Sequence, residues 1–346
     1  MSIAAKSILR KKCSFFVKPS ANPTPAASCL PTLFFFLLLF AAQLAYLQLA
    51  RRYGIVDNPT ARSSHSQQTI RGGGLVFVLA VILSWMAGYL SIWVGSGILL
   101  VGAVSLVDDI RGLPQWPRLA AHLVASLALV LEWQQQASFS FAWIPLILFL
   151  VIGWINLFNF MDGINGITVA YALVALAAFY WVPELQEDRN WILLVGLSCL
   201  VFAWFNFRKK ARVFAGDVGS VSMALILGYL MVKVILLTGN PWYLFFFSLY
   251  GVDSVLTLWI RWRRGENLFE PHRSHLYQLL ANEKKLPHRG VALAYAGLQL
   301  GINWLWLEGI GLETFSWLPG LLFAAVLVGT YLLLRAWVTG SASAEK

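Results

Sequence analysis

Acidic and amide side chains recur in this chain at the ends of long apolar runs, where lipid would make them costly. Asp108 and Asp109 close one such run, and Asp162 closes another as the last of Asn156, Asn159 and Asp162, spaced i, i+3, i+6. Asp217 stands in Gly216-Asp217-Val218-Gly219-Ser220, a glycine-flanked turn before a further run, and Asp253 lies within one. A charged side chain at a bilayer centre costs about 2.5–3.5 kcal/mol on insertion scales. Adjacent carboxylates at a boundary repel unless a cation or a donor is close. Carboxylates gathered on one membrane face therefore suggest a cation site, and with it phosphate chemistry.

Each motif has a plainer reading. The Asp108-Asp109 pair could be a solvated helix end, and Asn159 with Gly163 a helix C-cap. A cap does not account for three aligned polar residues entering lipid depth. Asp217 could be an N-cap, but helix N-terminal amides with Ser220 can also bind an anion, while Asp217 binds an accompanying metal. The segment 261–289 brings His272, Arg273 and His275 within four residues, and its stretch NLFEPHRSHLYQLL reads as an interfacial helix. His272 and His275 lack a third zinc ligand nearby; Arg273 and His275 suit phosphate contacts. Arg71 precedes Gly72-Gly73-Gly74, read as a flexible hinge before a helix, and by itself a weak signal. Lys233 reads as snorkelling, and Asp253 as facing the bundle interior and finding a partner.

These residues need a frame. The chain has 346 residues, 59% hydrophobic and only 12% charged, with mean hydropathy +0.69, against about 25% charged in soluble domains. That composition predicts an all-α, polytopic membrane helix bundle. Eleven apolar windows are expected to cross: 33–50, 74–91, 94–107, 118–131, 143–158, 166–182, 191–206, 219–237, 242–260, 289–307 and 317–337. Several fall short of the ~20 residues that span with ease. Residues 75–107 are read as two helices, because one would scatter the basic loops over both faces. With two, loops 51–73, 108–118, 207–218 and 261–289 share a Lys/Arg-rich face, which makes it cytoplasmic. The opposite loops carry only Arg189, beside Glu184, Glu187 and Asp188. Topology, not nucleic acid, accounts for most of the +10 net charge. Three cysteines at uneven spacing form no metal or disulfide pattern.

Three domain segments are expected: a basic Ser/Pro/Ala-rich extension 1–31, an integral-membrane catalytic domain 32–338, and a short tail 339–346. The first hydrophobic segment is read as an uncleaved helix. No internal repeat supports an inverted-repeat transporter.

Taken in order, VDD after a helix, N-x-x-N-x-x-D-G, GDVGS and R-R-G-E-N-x-F-x-x-H-R-x-H resemble the polyprenyl-phosphate N-acetylhexosamine-1-phosphate transferase family (glycosyltransferase family 4). RSSH at 62–65 and RGGG at 71–74 are similar to its first cytoplasmic loop. The likeness covers about residues 33–337. It implies transfer of an N-acetylhexosamine 1-phosphate from a UDP-sugar to undecaprenyl phosphate, with UMP released and Mg²⁺ as cofactor, in a bacterial inner membrane. It implies Asp217 and Asp162 as metal ligands, and Asp108, Asp109, Asp162 and His275 as catalytic. It implies Asn156, Asn159, Asn165, Arg71, Gly216, Ser220, His272 and Arg273 as substrate-binding. Partners are the UDP-N-acetylhexosamine, undecaprenyl phosphate and membrane lipids, with no nucleic acid; a homodimer is left open. Tyr277 and Gln278 stand where the N-acetylglucosamine branch has histidines, and Asn165 where many members have Asp. These departures point away from peptidoglycan precursors and toward O-antigen or related surface polysaccharides. A transporter or lipid flippase is the alternative, but would place its ionisable groups at mid-bundle; a non-catalytic scaffold would not need Asp162 and Asp217 together.

Overall fold

Apolar runs broken by Gly, Pro and polar residues fold into helices wherever the backbone must satisfy itself in lipid. In the computed structural model, residues 25–59, 67–137, 139–268, 270, 272–309 and 316–344 are described. Twelve helices occur among them: α1 (Pro25–Arg52), α2 (Leu75–Met86), α3 (Ile92–Arg111), α4 (Gln115–Gln136), α5 (Ile144–Phe160), α6 (Ile167–Trp181), α7 (Arg189–Asn206), α8 (Gly216–Thr238), α9 (Ser248–Arg263), α10 (Leu276–Asn282), α11 (His288–Trp304) and α12 (Trp317–Ala344). The strands described, β1 (Val56–Asp57) and β2 (Thr69–Ile70), pair antiparallel with Val56 opposite Ile70. The all-α expectation holds.

Each of the eleven windows falls on a helix, but eleven crossings are not established. Among the described residues, eight segments are long and apolar enough to cross a membrane, while α2 and α6 are apolar but shorter. At 12 residues, α2 reaches only about 18 Å. Residues 75–107 are two helices as expected. Gly88, at φ +76°, turns the chain after α2, and the Ser91 hydroxyl accepts from Val94 N to start α3.

The chain divides into a small unit, residues 1–35, and a main unit, 36–346. Within the main unit α8 is the central post. It is apolar all round, as a helix enclosed by others must be, and every residue from Val218 to Met231 is buried. It packs against α3, α5, α2 and α6. The first turn of this post is where the acidic motifs meet. Of the sequence expectations, RSSH at 62–65 and most of the extension 1–31 lie outside the described residues. The last helix continues to Ala344.

Candidate active site

The site begins with a backbone crossing. Gly73 N donates to Phe214 O at 2.8 Å and Gly74 N to Ala215 O at 2.9 Å, while Phe214 N donates to Ile70 O at 2.8 Å. A Cβ on Gly74 would stand 2.1 Å from Gly219 Cα. The Gly72–Gly74 run is thus a tight fit against the start of α8, which corrects its reading as a flexible hinge. Gly216 has φ +71°, and a Cβ there would lie 2.3 Å from an Asp109 carboxylate oxygen. Glycine is required twice over, for the left-handed backbone and for the space.

This crossing sets Arg71 beside the head of α8. Arg71 Nε lies 2.6 Å from Asp109 Oδ1, and its Nη2 lies 3.4 Å from Asp217 Oδ1. Asp109 also accepts from Asp217 N at 2.9 Å and Val218 N at 3.0 Å. The α8 N-terminal amides, expected to meet a substrate anion, are therefore already capped by Asp109. Ser220 is likewise engaged, donating to Asn159 Oδ1 and to Gly216 O.

The two adjacent aspartates separate in role. Asp109 is enclosed, with a side chain 0% exposed. Asp108 turns to the next loop, where it accepts from Leu113 N and from Arg118 Nη1 at 2.9 Å. Its carboxyl group and that of Asp217 interact. Asp217 is the most open of the three, 20% exposed, and Arg118 Nη1 is 3.8 Å from its second oxygen. Arg118 was missed as a site residue by motif reasoning. A basic residue just past a short loop closed by glycine and proline was the available signal.

Asp162 lies in the turn after α5. It accepts from Thr168 Oγ1 at 2.6 Å. Burial is the main cause that pushes its carboxyl up to about 6, and the charge of Asp217 adds to this. The direct neighbour of Asp217 is nevertheless Asp108. Asn165 is buried and donates to Arg208 O and Lys209 O at 3.2 and 3.3 Å, so it braces two loops. Asn206, absent from the sequence reading, does similar work: it accepts from Gly166 N and donates to Val213 O, both at 2.8 Å. Asn156 is exposed and bonds back to Ile152 O at 2.8 Å, so the expected three-residue polar face reduces to Asn159 and Asp162.

The last loop differs most from expectation. Helix forms only over Leu276–Asn282, and most of its first turn is buried, so the long interfacial helix is corrected to one short inward helix. The reason is Asp253, whose carboxylate accepts Leu276 N and Tyr277 N; it faces the interior and is partnered, as read. Tyr277 is inside and donates to Phe160 O at 2.8 Å. His275 is 1% exposed, its Nδ1 3.6 Å from Asp253 Oδ1, so it points inward rather than toward a solvent-borne phosphate. His272 packs on Phe160 and His275. Burial foremost, then the nearby His275 and Arg261, lower its pKa to about 4. Arg273 is exposed. At the opposite end Lys233 does not snorkel; it pairs with buried Asp188 at 2.8 Å.

No group of three or more His, Cys, Asp or Glu side chains that could hold a metal occurs among the described residues. The geometry does suit Mg²⁺, which typically uses one or two carboxylates, substrate phosphates and water. Asp217 is one-fifth exposed, receives long contacts from two guanidinium groups, and interacts with Asp108.

Residues 89–235, from before α3 to near the end of α8, match glycosyl transferase family 4. The chain is 26% identical to a decaprenyl-phosphate N-acetylglucosaminephosphotransferase of Mycolicibacterium smegmatis, over 71% of this chain and 73% of that one. It is 27% identical to a phospho-N-acetylmuramoyl-pentapeptide-transferase of Lactobacillus johnsonii, over 54% and 67%. A Latilactobacillus sakei protein of the latter name is 32% identical over 44% and 57%. The match of residues 89–235 to glycosyl transferase family 4 and these relatives bear out the likeness to polyprenyl-phosphate hexosamine-1-phosphate transferases read from the motifs.

Proposed function

We propose that this protein transfers an N-acetylhexosamine 1-phosphate from a UDP-sugar to undecaprenyl phosphate in a bacterial inner membrane, releasing UMP and starting a surface polysaccharide such as an O-antigen. The observation that carries the reading is the convergence of Arg71, Asp108, Asp109, Arg118 and Asp217 at the head of one central helix. Phosphoryl transfer needs positioning and charge neutralisation more than covalent chemistry. Arg71 and Arg118, each about one-third exposed, supply fixed positive charge for phosphate oxygens. Asp109 holds Arg71 and the start of α8 in place. Asp217, with Asp108 facing it, would hold Mg²⁺, which when bound neutralises diphosphate charge and orients its oxygens.

A lipid phosphate has a second pKa near 6, so at neutral pH its oxygen attacks without a strong base. A bond forms from that oxygen to the β-phosphorus, the bond to the bridging oxygen breaks, and UMP leaves with the electron pair. The enclosure of Asp109 and the Arg118 contact of Asp108 support direct attack over an aspartyl intermediate. A small sugar is favoured over a muramoyl-pentapeptide, because the decaprenyl-phosphate relative matches over more of this chain than the pentapeptide transferases do.

The test is purified protein with undecaprenyl phosphate, Mg²⁺ and a panel of UDP-N-acetylhexosamines, read as UMP release. UMP from a small UDP-sugar and none from UDP-N-acetylmuramoyl-pentapeptide is expected. Comparable turnover of the pentapeptide substrate would overturn the sugar assignment, and no UMP from any donor would overturn the reaction.

A further inference from the structure

Asp253 is a carboxylate inside a membrane helix that the reaction above does not use. It is 1% exposed. Burying such a charge is tolerated only with a full set of donors, and the donors here come from three other elements. Leu276 N and Tyr277 N, the first amides of α10, donate at 2.8 and 3.3 Å. Tyr295 on α11 donates its hydroxyl at 2.8 Å, and Tyr331 on α12 at 3.3 Å. Behind them Arg335, also buried, donates to Thr257 Oγ1 at 3.0 Å and to Tyr331 at 2.7 Å. A carboxylate from α9 thus caps a helix that belongs to the last loop.

What α10 touches gives this its consequence. Its second residue, Tyr277, reaches across to Phe160 O, the carbonyl just before the turn that holds Asp162. A Cβ on Gly163 would stand 2.2 Å from the Tyr277 hydroxyl, so the tyrosine fills the space beneath that turn. On the other side of α10 the chain runs directly back through His275 to Arg273 and His272. One buried carboxylate therefore fixes both the support of the Asp162 turn and the departure point of the loop that carries Arg273.

We infer that Asp253 is a positioning residue, which seats α10 so that Tyr277 supports the Asp162 turn and the exposed Arg273 segment departs from a fixed point. The catalytic consequence rests on the transferase reading; the seating itself does not. In Asp253→Asn one oxygen becomes an NH₂, which cannot accept from a backbone amide, so one of the two amide bonds of the cap is lost with shape kept. Tyr277→Phe removes only the hydroxyl that meets Phe160 O.

The experiment is a double-mutant cycle on UMP release by the full-length protein, with trypsin cleavage at Arg273 followed in parallel. Each single variant should lower kcat on the order of tenfold, about the worth of one hydrogen bond, with KM for undecaprenyl phosphate unchanged. Because both act through α10, the double variant should match the worse single variant rather than multiply the two losses. Asp253→Asn should also speed cleavage at Arg273 relative to Arg264. Multiplying losses, a Tyr277→Phe kcat equal to wild type, or unchanged cleavage at Arg273 in Asp253→Asn would each overturn the proposal. Should wild-type protein release no UMP from any donor, the transferase reading fails, and the Arg273 cleavage alone decides the seating.

Discussion

Replacing Arg71 by methionine should unfold the head of α8 more than it disturbs anything else, and the reason can be put in numbers. Asp109 is completely enclosed and keeps three donors: Arg71 Nε at 2.6 Å and the amides of Asp217 and Val218 at 2.9 and 3.0 Å. Removing one partner of a buried ion pair costs roughly 3–5 kcal/mol, because the other charge stays buried and unpaired. Two amides remain and Arg71 is one-third exposed, so solvent screening brings the loss down to or below the bottom of that range, at about 2–3 kcal/mol. The Arg71→Met/Asp109→Asn pair removes the stranded charge and should recover much of that loss. The assay is thermal unfolding of detergent-purified protein for wild type, both single variants and the double. Arg71→Met should melt lowest, and the double variant should melt above it. A melting point for Arg71→Met equal to wild type, or a double variant no better than Arg71→Met, would refute the argument that Asp109 depends on this guanidinium. Activity would not recover in the double variant, since a phosphate-facing cation is still missing.

Further predictions follow from the same geometry. Asp217→Asn should abolish most UMP release while leaving the melting point near wild type, because Asp217 makes only long ionic contacts; wild-type activity with unchanged Mg²⁺ dependence would return it to a capping role. Gly216→Ala should cost about 2–5 kcal/mol, summing the left-handed penalty and the overpacking against Asp109, and a melting point within a degree of wild type would contradict the crossing geometry. His272 has its pKa held at about 4, below the ordinary 6.5, so the fold favours its neutral form. Its contribution to stability is therefore complete above about 6.5 and is lost as pH falls toward about 4; melting curves from pH 7.5 to 4.5 should fall less steeply for His272→Asn, and equal slopes would reject this. Cysteines placed at 183–190 and 238–241 should react with an impermeant reagent from outside intact cells, whereas labelling of 207–218 from outside would invert the topology.

Composition and local pattern were enough for the helical frame and the motif roster. Apolar runs and the Lys/Arg asymmetry are local properties of composition, and a backbone in lipid has few alternatives to helix. The break at 87–91 was legible for the same reason, since one long helix would have scattered the basic loops. Asp108, Asp109, Asp162 and Asp217 stood out because carboxylates at the ends of apolar runs are rare. What each does was decided only by the tertiary structure. Adjacent residues on a helix point about 100° apart, so Asp108 and Asp109 meet different partners, one an arginine ten residues on and the other an arginine and a helix start from distant loops. The Gly72–Gly74 run looked like a hinge because its close neighbour, Gly219, is far away in the chain. Asn156 shares its spacing with Asn159 and Asp162 but has no neighbour to face. Tyr277 and His275 read as part of an interfacial helix because their stretch mixes apolar and basic residues, while Asp253, more than twenty residues earlier, draws them inward. Spacing along a chain reports which side chains share an element; the partner that gives each its role arrives through packing between elements, and local periodicity holds no record of it.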